Sequence, residues 1–392
     1  QLLKSTLPSI KMLNGSNKYH IFCFLLVYVF YIYKFPYLTY EATVFDEHGK
    51  NFLYAAYNFS LWQNIWTDDS GYLTWLPRII SIITSIFASI YSYVYITNFI
   101  AFAVIAYCLT FFNNQHFRIL IQSDFYRAII SLIPSLFFFN EDNFYFNNFA
   151  YYLFFICLLI VFVNKEKISR IEYFFYQFAC VIAIMSKGIF VVLFPIYLVI
   201  CLYHFYIKQF RSAVFYITPL LAIIASLLFY INSGTFNRGH NDNNFFELLT
   251  IAVHSWVQTY AIFFNILTPP LAASIFGTAC AIILIFFLIF FLKKQIKKYY
   301  LENESISSDL IAIVLFNVLA FGFIFINSTR HIPFSRLESF SVAFLHLPSS
   351  RVYFIPVIFI FISLCIFLYK ISNKKIRNLS LLLFLIYTSY VF

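Results

Sequence analysis

The stretch EATVFDEHGKNFLYAAYNFSLWQNIWTDDSGYLTWLPR, residues Glu41 to Arg78, follows directly on the first apolar run of the chain. It is the longest stretch of the chain that could not lie in the hydrocarbon of a membrane. Its ionisable residues are Glu41, Asp46, Glu47, His48, Lys50, Asp68, Asp69 and Arg78. Such groups beside membrane spans are costly unless they line a wet cavity or meet a partner. We therefore interpret residues 41–78 as the working loop and the rest of the chain as its scaffold.

The composition excludes a soluble globule. The 392 residues are 62% hydrophobic and only 11% charged, whereas roughly a quarter of a soluble domain is charged. Apolar runs of about 17 to 25 residues recur along the whole length, which favours helices over barrel strands. The sequence predicts an all-α integral membrane protein with a single polytopic domain over residues 1–392.

About eleven spans are predicted from these runs. They cover residues 19–40, 95–112, 127–139, 149–163, 173–186, 189–207, 213–231, 272–292, 308–326, 351–369 and 379–392. The run at 127–139 is short and contains Pro134, so a re-entrant segment is the alternative there. Two further apolar stretches, 76–94 and 248–268, are predicted to be interfacial or re-entrant helices.

The side of the membrane on which each loop lies is assigned from charge, because Lys and Arg accumulate in the short cytoplasmic loops of membrane proteins. The assignment places most basic residues inside, in loops such as NKEKISR and KKQIKK. The net charge of +10 is therefore explained by topology, and no continuous basic patch indicates nucleic acid. The outward loops are then 41–78, 140–148, 232–247 and the late loop 327–351.

Carboxylates of the first loop are candidates for a general base toward a sugar hydroxyl. Glu47 is the first choice, Asp46 the second and Glu41 the third. The alternative is a solvated loop in which these acids pair with Lys50. His48 is a candidate for substrate binding in the same loop.

Cationic residues of the outward loops are candidates for binding phosphate. Arg78 follows Pro77 at the head of an apolar helix, and a planar guanidinium suits a pair of phosphate oxygens. Lys50 and Arg351 complete the predicted phosphate set, and Arg330 and His331 are predicted to contact substrate. For each of these side chains, anchoring at the lipid interface is the alternative.

Glu141 and Asp142 in the second outward loop are predicted to contact substrate. Two acids beside asparagines are a weak signal for a divalent metal, so no metal site is predicted. Lys187, between two spans, is expected at the outer interface, where a phosphate is within its reach. The sequence contains no Walker loop, GxSxG, HExxH or GxGxxG motif, so neither ATP-driven transport nor a nucleotide-sugar site is supported.

Two segments of the first loop carry a family resemblance. Glu47, Gly49 and Phe52 follow the first span, and Gly71-Tyr72-Leu73 then leads to Pro77-Arg78. In this the chain resembles polytopic glycosyltransferases of the C-type fold that use polyprenyl-phosphate sugars, and most of all bacterial and phage glucosyltransferases that modify O-antigen. Arg351-Val352-Tyr353-Phe354 matches a later motif of that family loosely, with an extra valine, and His48 stands where a second acid is expected.

The resemblance implies transfer of a hexose, with glucose as the first choice, from polyprenyl phosphate to a lipid-linked polysaccharide such as O-antigen. It places this reaction at the periplasmic face of a bacterial inner membrane, with Tyr72 among the substrate contacts and without a nucleotide or other cofactor. An O-antigen polymerase is the alternative among enzymes, and a lipid-linked oligosaccharide flippase is the alternative from another class. Arginine-rich loops would favour the polymerase, and ionisable residues buried in mid-span would favour the flippase.

Overall fold

The computed structural model describes residues 15–40, 48–67, 73–137, 146, 148–232, 245–261, 279, 282, 286, 308–331, 354–371 and 373–391. These residues are predominantly helical, and no strand occurs among them. The chain is therefore an all-helical protein with the apolar helices of a membrane protein. Within the described ranges, four helical stretches are long and apolar enough to cross a bilayer: Ile90–Ile119, Gly188–Tyr206, Phe210–Asn232 and Ser308–Phe325.

The helices follow the predicted apolar runs closely. They are α1 (Gly15–Lys34), α2 (Pro36–Thr39), α3 (Tyr54–Asn58), α4 (Leu61–Trp66), α5 (Trp75–Phe87), α6 (Ile90–Thr110), α7 (Asp124–Leu136), α8 (Leu153–Leu159), α9 (Arg170–Ile184), α10 (Phe194–Tyr206), α11 (Phe210–Asn232), α12 (Phe245–Ala261), α13 (Ser308–His331), α14 (Phe354–Tyr369) and α15 (Lys374–Val391). A π-helix, His48–Leu53, leads into α3, and 3₁₀ segments extend α6, α8 and α10. Of the predicted span 272–292, only residues 279, 282 and 286 are described, and all three are helical.

Interhelical contacts define two ends of the helix bundle. At the upper end, Lys34 Nζ at the close of α1 donates to Phe137 O beyond α7 at 3.3 Å. At the lower end, Lys370 just after α14 pairs with Asp309 at the start of α13, at 2.5 Å. Tyr126, near the start of α7, packs on Tyr369 there, so α7 runs from the lower end to the upper end.

The lower end carries a strong excess of positive charge. The basic residues described there are Arg118, Arg127, Lys165, Lys167, Arg170, Lys208, Arg211, Lys370, Lys374, Lys375 and Arg377, and the acidic ones are Asp124, Glu166, Glu172 and Asp309. All of these basic residues were predicted to share the cytoplasmic side. The structure gathers them at a single end, as that prediction requires.

The centre of the bundle is formed by α8, whose seven residues Leu153–Leu159 are all buried. A helix that is apolar on every side requires neighbours all round it. The Phe154 ring meets Phe190, Phe323 and Phe359 at centroid distances of 5.2, 5.5 and 5.6 Å. In lipid, close packing of this kind holds helices together, because the lipid tails are as apolar as the side chains.

The prediction of one interfacial helix over 76–94 is wrong in its extent. Helix α5 ends at Phe87, and the Ser89 hydroxyl accepts from Ser92 N to start the much longer α6. Residues 90–94 therefore belong to α6. Serine accepts such bonds well at the position before a helix, and this local capping outweighed the continuous apolar pattern.

Helix α5 has its polar face turned inward. Arg78, Ser81 and Thr84 are buried, whereas Ile86 and Phe87 are 69% and 78% exposed. This is the reverse of a helix on a soluble protein, and it fits a helix whose apolar face meets lipid. The polar face of α5 thus lies against the first loop, which is the arrangement that a site beside the membrane needs.

Helix α12 runs antiparallel to α13. Its Trp256 packs on Phe321, and its Tyr260 hydroxyl bonds to the Asn317 amide oxygen. The Asn317 nitrogen donates to Ser363 Oγ of α14 at 2.8 Å, which joins three helices in one polar contact. The part of the predicted stretch 248–268 beyond Ala261 lies outside the described residues.

Candidate active site

The first loop forms a small helical platform at the upper end. A capping box starts α4, in which Ser60 Oγ accepts from Gln63 N and the Gln63 side chain accepts from Ser60 N at 3.1 Å. The S-x-x-Q pattern produces this start without help from the rest of the fold. The Tyr57 hydroxyl donates to Ala88 O at 2.8 Å, which ties the platform to the turn between α5 and α6.

Arg78 joins the platform to α5. Its side chain is 1% exposed. Its Nη1 donates to Asn64 Oδ1 at 2.8 Å and to Asn51 O at 3.1 Å, and its Nε donates to Thr74 Oγ1 at 3.1 Å. The guanidinium carbon also lies 5.5 Å from the centre of the Phe52 ring. Three oxygen atoms and an aromatic ring thus orient the Arg78 guanidinium.

A second buried cation lies beside the head of α5. The turn after α9 meets this helix, because Trp75 N donates to Met185 O at 3.3 Å and Leu76 N donates to Ser186 Oγ at 2.9 Å. Lys187 follows immediately, is 4% exposed, and places its Nζ 4.9 Å from the centre of the Tyr151 ring. Lys187 thus lies in a turn at the upper end, where neighbouring segments bury its side chain.

The second outward loop and the late helix approach the same place. Phe52 of the π-helix packs edge-on against Phe146 at 5.6 Å. Tyr151, which faces Lys187, packs on Phe323 of α13 at 6.3 Å. Segments that are far apart in sequence therefore meet around the head of α5, as a site built from several loops requires.

The predicted site residues fall into three groups in the structure. For Arg78, the structure describes both the backbone and the side-chain contacts. His48 and Lys50 belong to the π-helix beside Asn51, and Arg330 and His331 belong to the last turn of α13. The others lie outside the described residues: Glu41, Asp46, Glu47, Tyr72, Glu141, Asp142 and Arg351.

Sequence reasoning missed Asn64, which binds Arg78, and Ser186, which joins the turn of Lys187 to α5. Asn64 and Ser186 are uncharged and fit no catalytic motif, and their roles depend on contacts across 14 and 110 positions of the chain. A local signal did exist for Lys187, because a lysine between Ser186 and Gly188 interrupts two apolar runs. Its burial could only be seen once α5 had been placed against the turn.

At the lower end, charged side chains form ion pairs and cap helices. Arg118 pairs with Asp124 at 2.7 Å, and the buried Arg127 pairs with the same carboxylate. Lys165, in the loop before α9, donates to the carbonyl oxygen of Ile160 and lies 4.9 Å from the centre of the Tyr216 ring. Burial lowers the pKa of Lys165 to about 7. These contacts close helix ends and anchor loops.

The fold and the site define an all-helical membrane protein in which two buried cations, Arg78 and Lys187, lie at the upper end. Comparison of the sequence and the structure with known proteins adds no family to this description. The chain matches no protein-family model, no curated protein and no solved structure.

The two buried cations of the site suit an anionic group such as a phosphate. A buried guanidinium and a buried ammonium attract a phosphate more strongly than exposed ones, because the low local dielectric screens them less. Their rigid supports mean that little reorganisation is needed when negative charge develops nearby. Glu41, Asp46 and Glu47, which lie outside the described residues, precede the π-helix in the sequence.

Proposed function

We propose that this protein is a membrane glycosyltransferase that moves a hexose, with glucose as the first choice, from polyprenyl phosphate to a lipid-linked polysaccharide such as O-antigen. One observation carries the proposal. The acidic first loop leads into a platform on which Arg78 is held, next to the turn that carries Lys187. The motifs of residues 47–52 and 71–78, which resemble C-type glycosyltransferases, belong to the same region.

In the proposed reaction the acceptor hydroxyl oxygen attacks the anomeric carbon of the donor sugar. A new C–O bond forms there, the bond from the anomeric carbon to the phosphate oxygen breaks, and polyprenyl phosphate leaves with the electron pair. The hydroxyl proton passes to a carboxylate, for which Glu47 is the first choice and Asp46 and Glu41 are the next. General base assistance of this kind contributes about 10²- to 10⁴-fold in rate.

The cations stabilise the departing phosphate. Arg78 presents a fixed planar fork, and Lys187 presents a compact charge whose direction is set by the Tyr151 ring. Lys187 thereby joins the phosphate set of Lys50, Arg78 and Arg351. His48, Tyr72, Glu141, Asp142, Arg330 and His331 are assigned to sugar contacts, and the proposed reaction requires no nucleotide, cofactor or metal.

Topology supports the proposed location. The basic lower end fits the cytoplasmic side, so the upper end faces the periplasm of a bacterial inner membrane. The full arrangement would have about eleven spans in a C-type fold. In that arrangement, the donor reaches the site laterally from the outer leaflet.

The test uses purified protein in vesicles with a synthetic polyprenyl-phosphate glucose that carries a radiolabelled sugar. We expect the wild type to release or transfer labelled glucose and Glu47→Gln to lose at least about 100-fold in rate. Glu172→Gln is the matched control, because Glu172 caps α9 and lies 3.8 Å from His116 Nε2 at the lower end, and glutamine serves in the same capping box.

Three outcomes would contradict the proposal in different ways. Full activity of Glu47→Gln at a normal protein level removes Glu47 from the mechanism. Polymerisation of repeat units without use of the donor favours an O-antigen polymerase. Movement of a labelled lipid-linked oligosaccharide across the membrane without bond cleavage favours a flippase.

A further inference from the structure

Tryptophan is concentrated in one place on this protein. The chain has four tryptophans, and three of them, Trp62, Trp66 and Trp75, belong to the platform and the head of α5. Their rings form a continuous row, with centroid distances of 5.5 Å from Trp62 to Trp66 and 5.6 Å from Trp66 to Trp75. We call these three residues the tryptophan row.

The row leads from solvent or lipid to the buried cations. Trp62 is 70% exposed and Trp66 is 39% exposed, whereas Trp75 is half-buried. Leu76, the next residue after Trp75, bonds to the turn that carries Lys187. A ligand lying along the row would therefore have one end at the site proposed above.

The support of the row is rigid. The capping box fixes the start of α4, and Thr67 Oγ1 donates to Gln63 O at 2.6 Å at its end. Asn64, on the inner face of the same helix, is held by Arg78. Large aromatic side chains on a fixed support bind with little loss of conformational entropy, which favours ligand binding.

The surroundings of the row are neutral and rich in hydrogen-bonding groups. Asn58, Ser60 and Gln63 are exposed beside it. No lysine or arginine occurs from residue 51 to residue 77, and the segment contains two aspartates. Helices that lie on anionic membranes carry basic residues on their polar face, so this composition does not attract anionic headgroups.

One buried nitrogen of the row is available to donate a hydrogen bond to a polar ligand. The indole Nε1 of Trp75 is buried and has no hydrogen-bond partner in the part of the chain that the structure describes. A buried indole N–H normally finds an acceptor. A hydroxyl group of a ligand seated against Trp66 and Trp75 would supply one.

We propose that the tryptophan row binds the acceptor as a neutral hexose chain, and this inference rests on the proposed function. The C–H groups on one face of a pyranose are weakly positive and stack on the negative face of an indole ring. The hydroxyl groups at the sugar rim then meet the amide and hydroxyl side chains beside the row. The acceptor end would be held next to the donor phosphate, as the attack on the anomeric carbon requires.

The first experiment measures equilibrium binding of radiolabelled maltohexaose to the purified protein in the absence of any donor. We expect saturable binding by the wild type, a loss of at least tenfold in affinity for Trp62→Ala and for Trp66→Ala, and a change of less than threefold for Trp62→Phe. Trp256→Phe is the matched control, because Trp256 packs on Tyr260 and Phe321 inside the bundle. No binding by the wild type, or equal binding by the alanine variants, would overturn the inference.

The second experiment measures fluorescence quenching by lipids brominated along their acyl chains, in vesicles that contain the protein. If the Trp62→Phe, Trp66→Phe double variant loses quenching that the wild type shows, the row lies in the bilayer and the inference is overturned. Unchanged quenching in that variant supports it. Donor cleavage by the wild type and by Glu47→Gln is scored separately, so failure of the enzyme proposal remains distinguishable from failure of sugar binding.

Discussion

Lys187 and Lys165 are two buried lysines at opposite ends of the bundle, and each places its Nζ 4.9 Å from the centre of a tyrosine ring. Lys165 also caps the carbonyl end of the helix that precedes it, by donating to Ile160 O and to Val161 O. Lys187 instead lies in the turn that Trp75 and Leu76 hold against the platform. The same side chain in similar burial thus closes a helix at one end and lines a candidate site at the other.

The two ends also differ in the contacts that the described residues make with their arginines. Arg118 and Arg127 at the lower end both form ion pairs with the carboxylate of Asp124. Arg78 at the upper end is oriented by the oxygens of Asn51, Asn64 and Thr74, which carry no net charge. Arg78 thereby links the first-loop platform to α5, whereas Asp124 anchors a turn at the lower end.

Arg78→Ala should have the largest effect. The oxygens of Asn51, Asn64 and Thr74 would each lose a hydrogen-bond donor. Each acceptor left buried without a donor costs about 1–3 kcal/mol, so the free energy of unfolding should fall by at least about 3 kcal/mol. Donor cleavage should be lost as well. Thermal unfolding and the cleavage assay measure these effects, and Arg78→Lys, which keeps the charge, should retain part of the activity. Wild-type cleavage by Arg78→Ala would remove this cation from the site.

Lys187→Met should lower donor cleavage by about 10- to 100-fold, which corresponds to roughly 1.4 to 2.7 kcal/mol of transition-state stabilisation. Methionine has a volume similar to that of lysine, so the packing around this position should be largely retained. Methionine also packs well against an aromatic ring such as Tyr151. The cleavage rate and the midpoint of thermal unfolding are measured together.

Lys165→Met is the matched control for that variant, since it removes the corresponding lysine at the lower end. Its cleavage rate should stay within about twofold of the wild type, because Lys165 caps a helix far from the platform. Equal losses of activity in both variants would show that the two ends do not differ as described. In that case, burial of charge alone would explain the behaviour of Lys187.

The sequence was sufficient to predict the class of fold and the sorting of charge between the ends. Apolar runs gave the helices, and the basic loops around Lys165, Arg211 and Arg377 lie together as predicted. The break at Ser89 was missed because one serine cap outweighs a continuous apolar pattern. The bonds from Arg78 to Asn64 and from Leu76 to Ser186 could not be read from sequence, since they depend on contacts between distant segments.

The pH dependence of stability should differ between the wild type and Lys165→Met. Burial lowers the pKa of Lys165 to about 7 from an ordinary value of 10.5. Between these values the unfolded chain binds a proton that the folded protein does not, so stability rises with pH across this window. Below about pH 7 the full cost of burying the charge is present.

The measurement is the difference in unfolding midpoint between the wild type and Lys165→Met from pH 6 to pH 9. The wild type should gain stability relative to the variant as the pH rises above about 7. A constant difference over this range would show that Lys165 stays protonated in the folded protein. Cleavage assays play no part in this comparison, so it tests the structural role of the lower end alone.

The smallest effect is expected at the Arg118–Asp124 pair. Arg118 is half-exposed, and exposed ion pairs contribute about 0.2 to 1 kcal/mol. A double-mutant cycle with Arg118→Ala and Asp124→Asn should therefore give a coupling energy in this range, and it should fall at high salt. A coupling of several kcal/mol would mean that the lower end is held by more than anchoring contacts.

The most direct test of the central claim is cleavage of synthetic polyprenyl-phosphate glucose by the wild type, Lys187→Met and Lys165→Met in the same vesicles. We expect the wild type and Lys165→Met to release or transfer labelled glucose, and Lys187→Met to be about 10- to 100-fold slower. Absence of cleavage by well-folded wild-type protein, or equal rates for the two lysine variants, would contradict this claim.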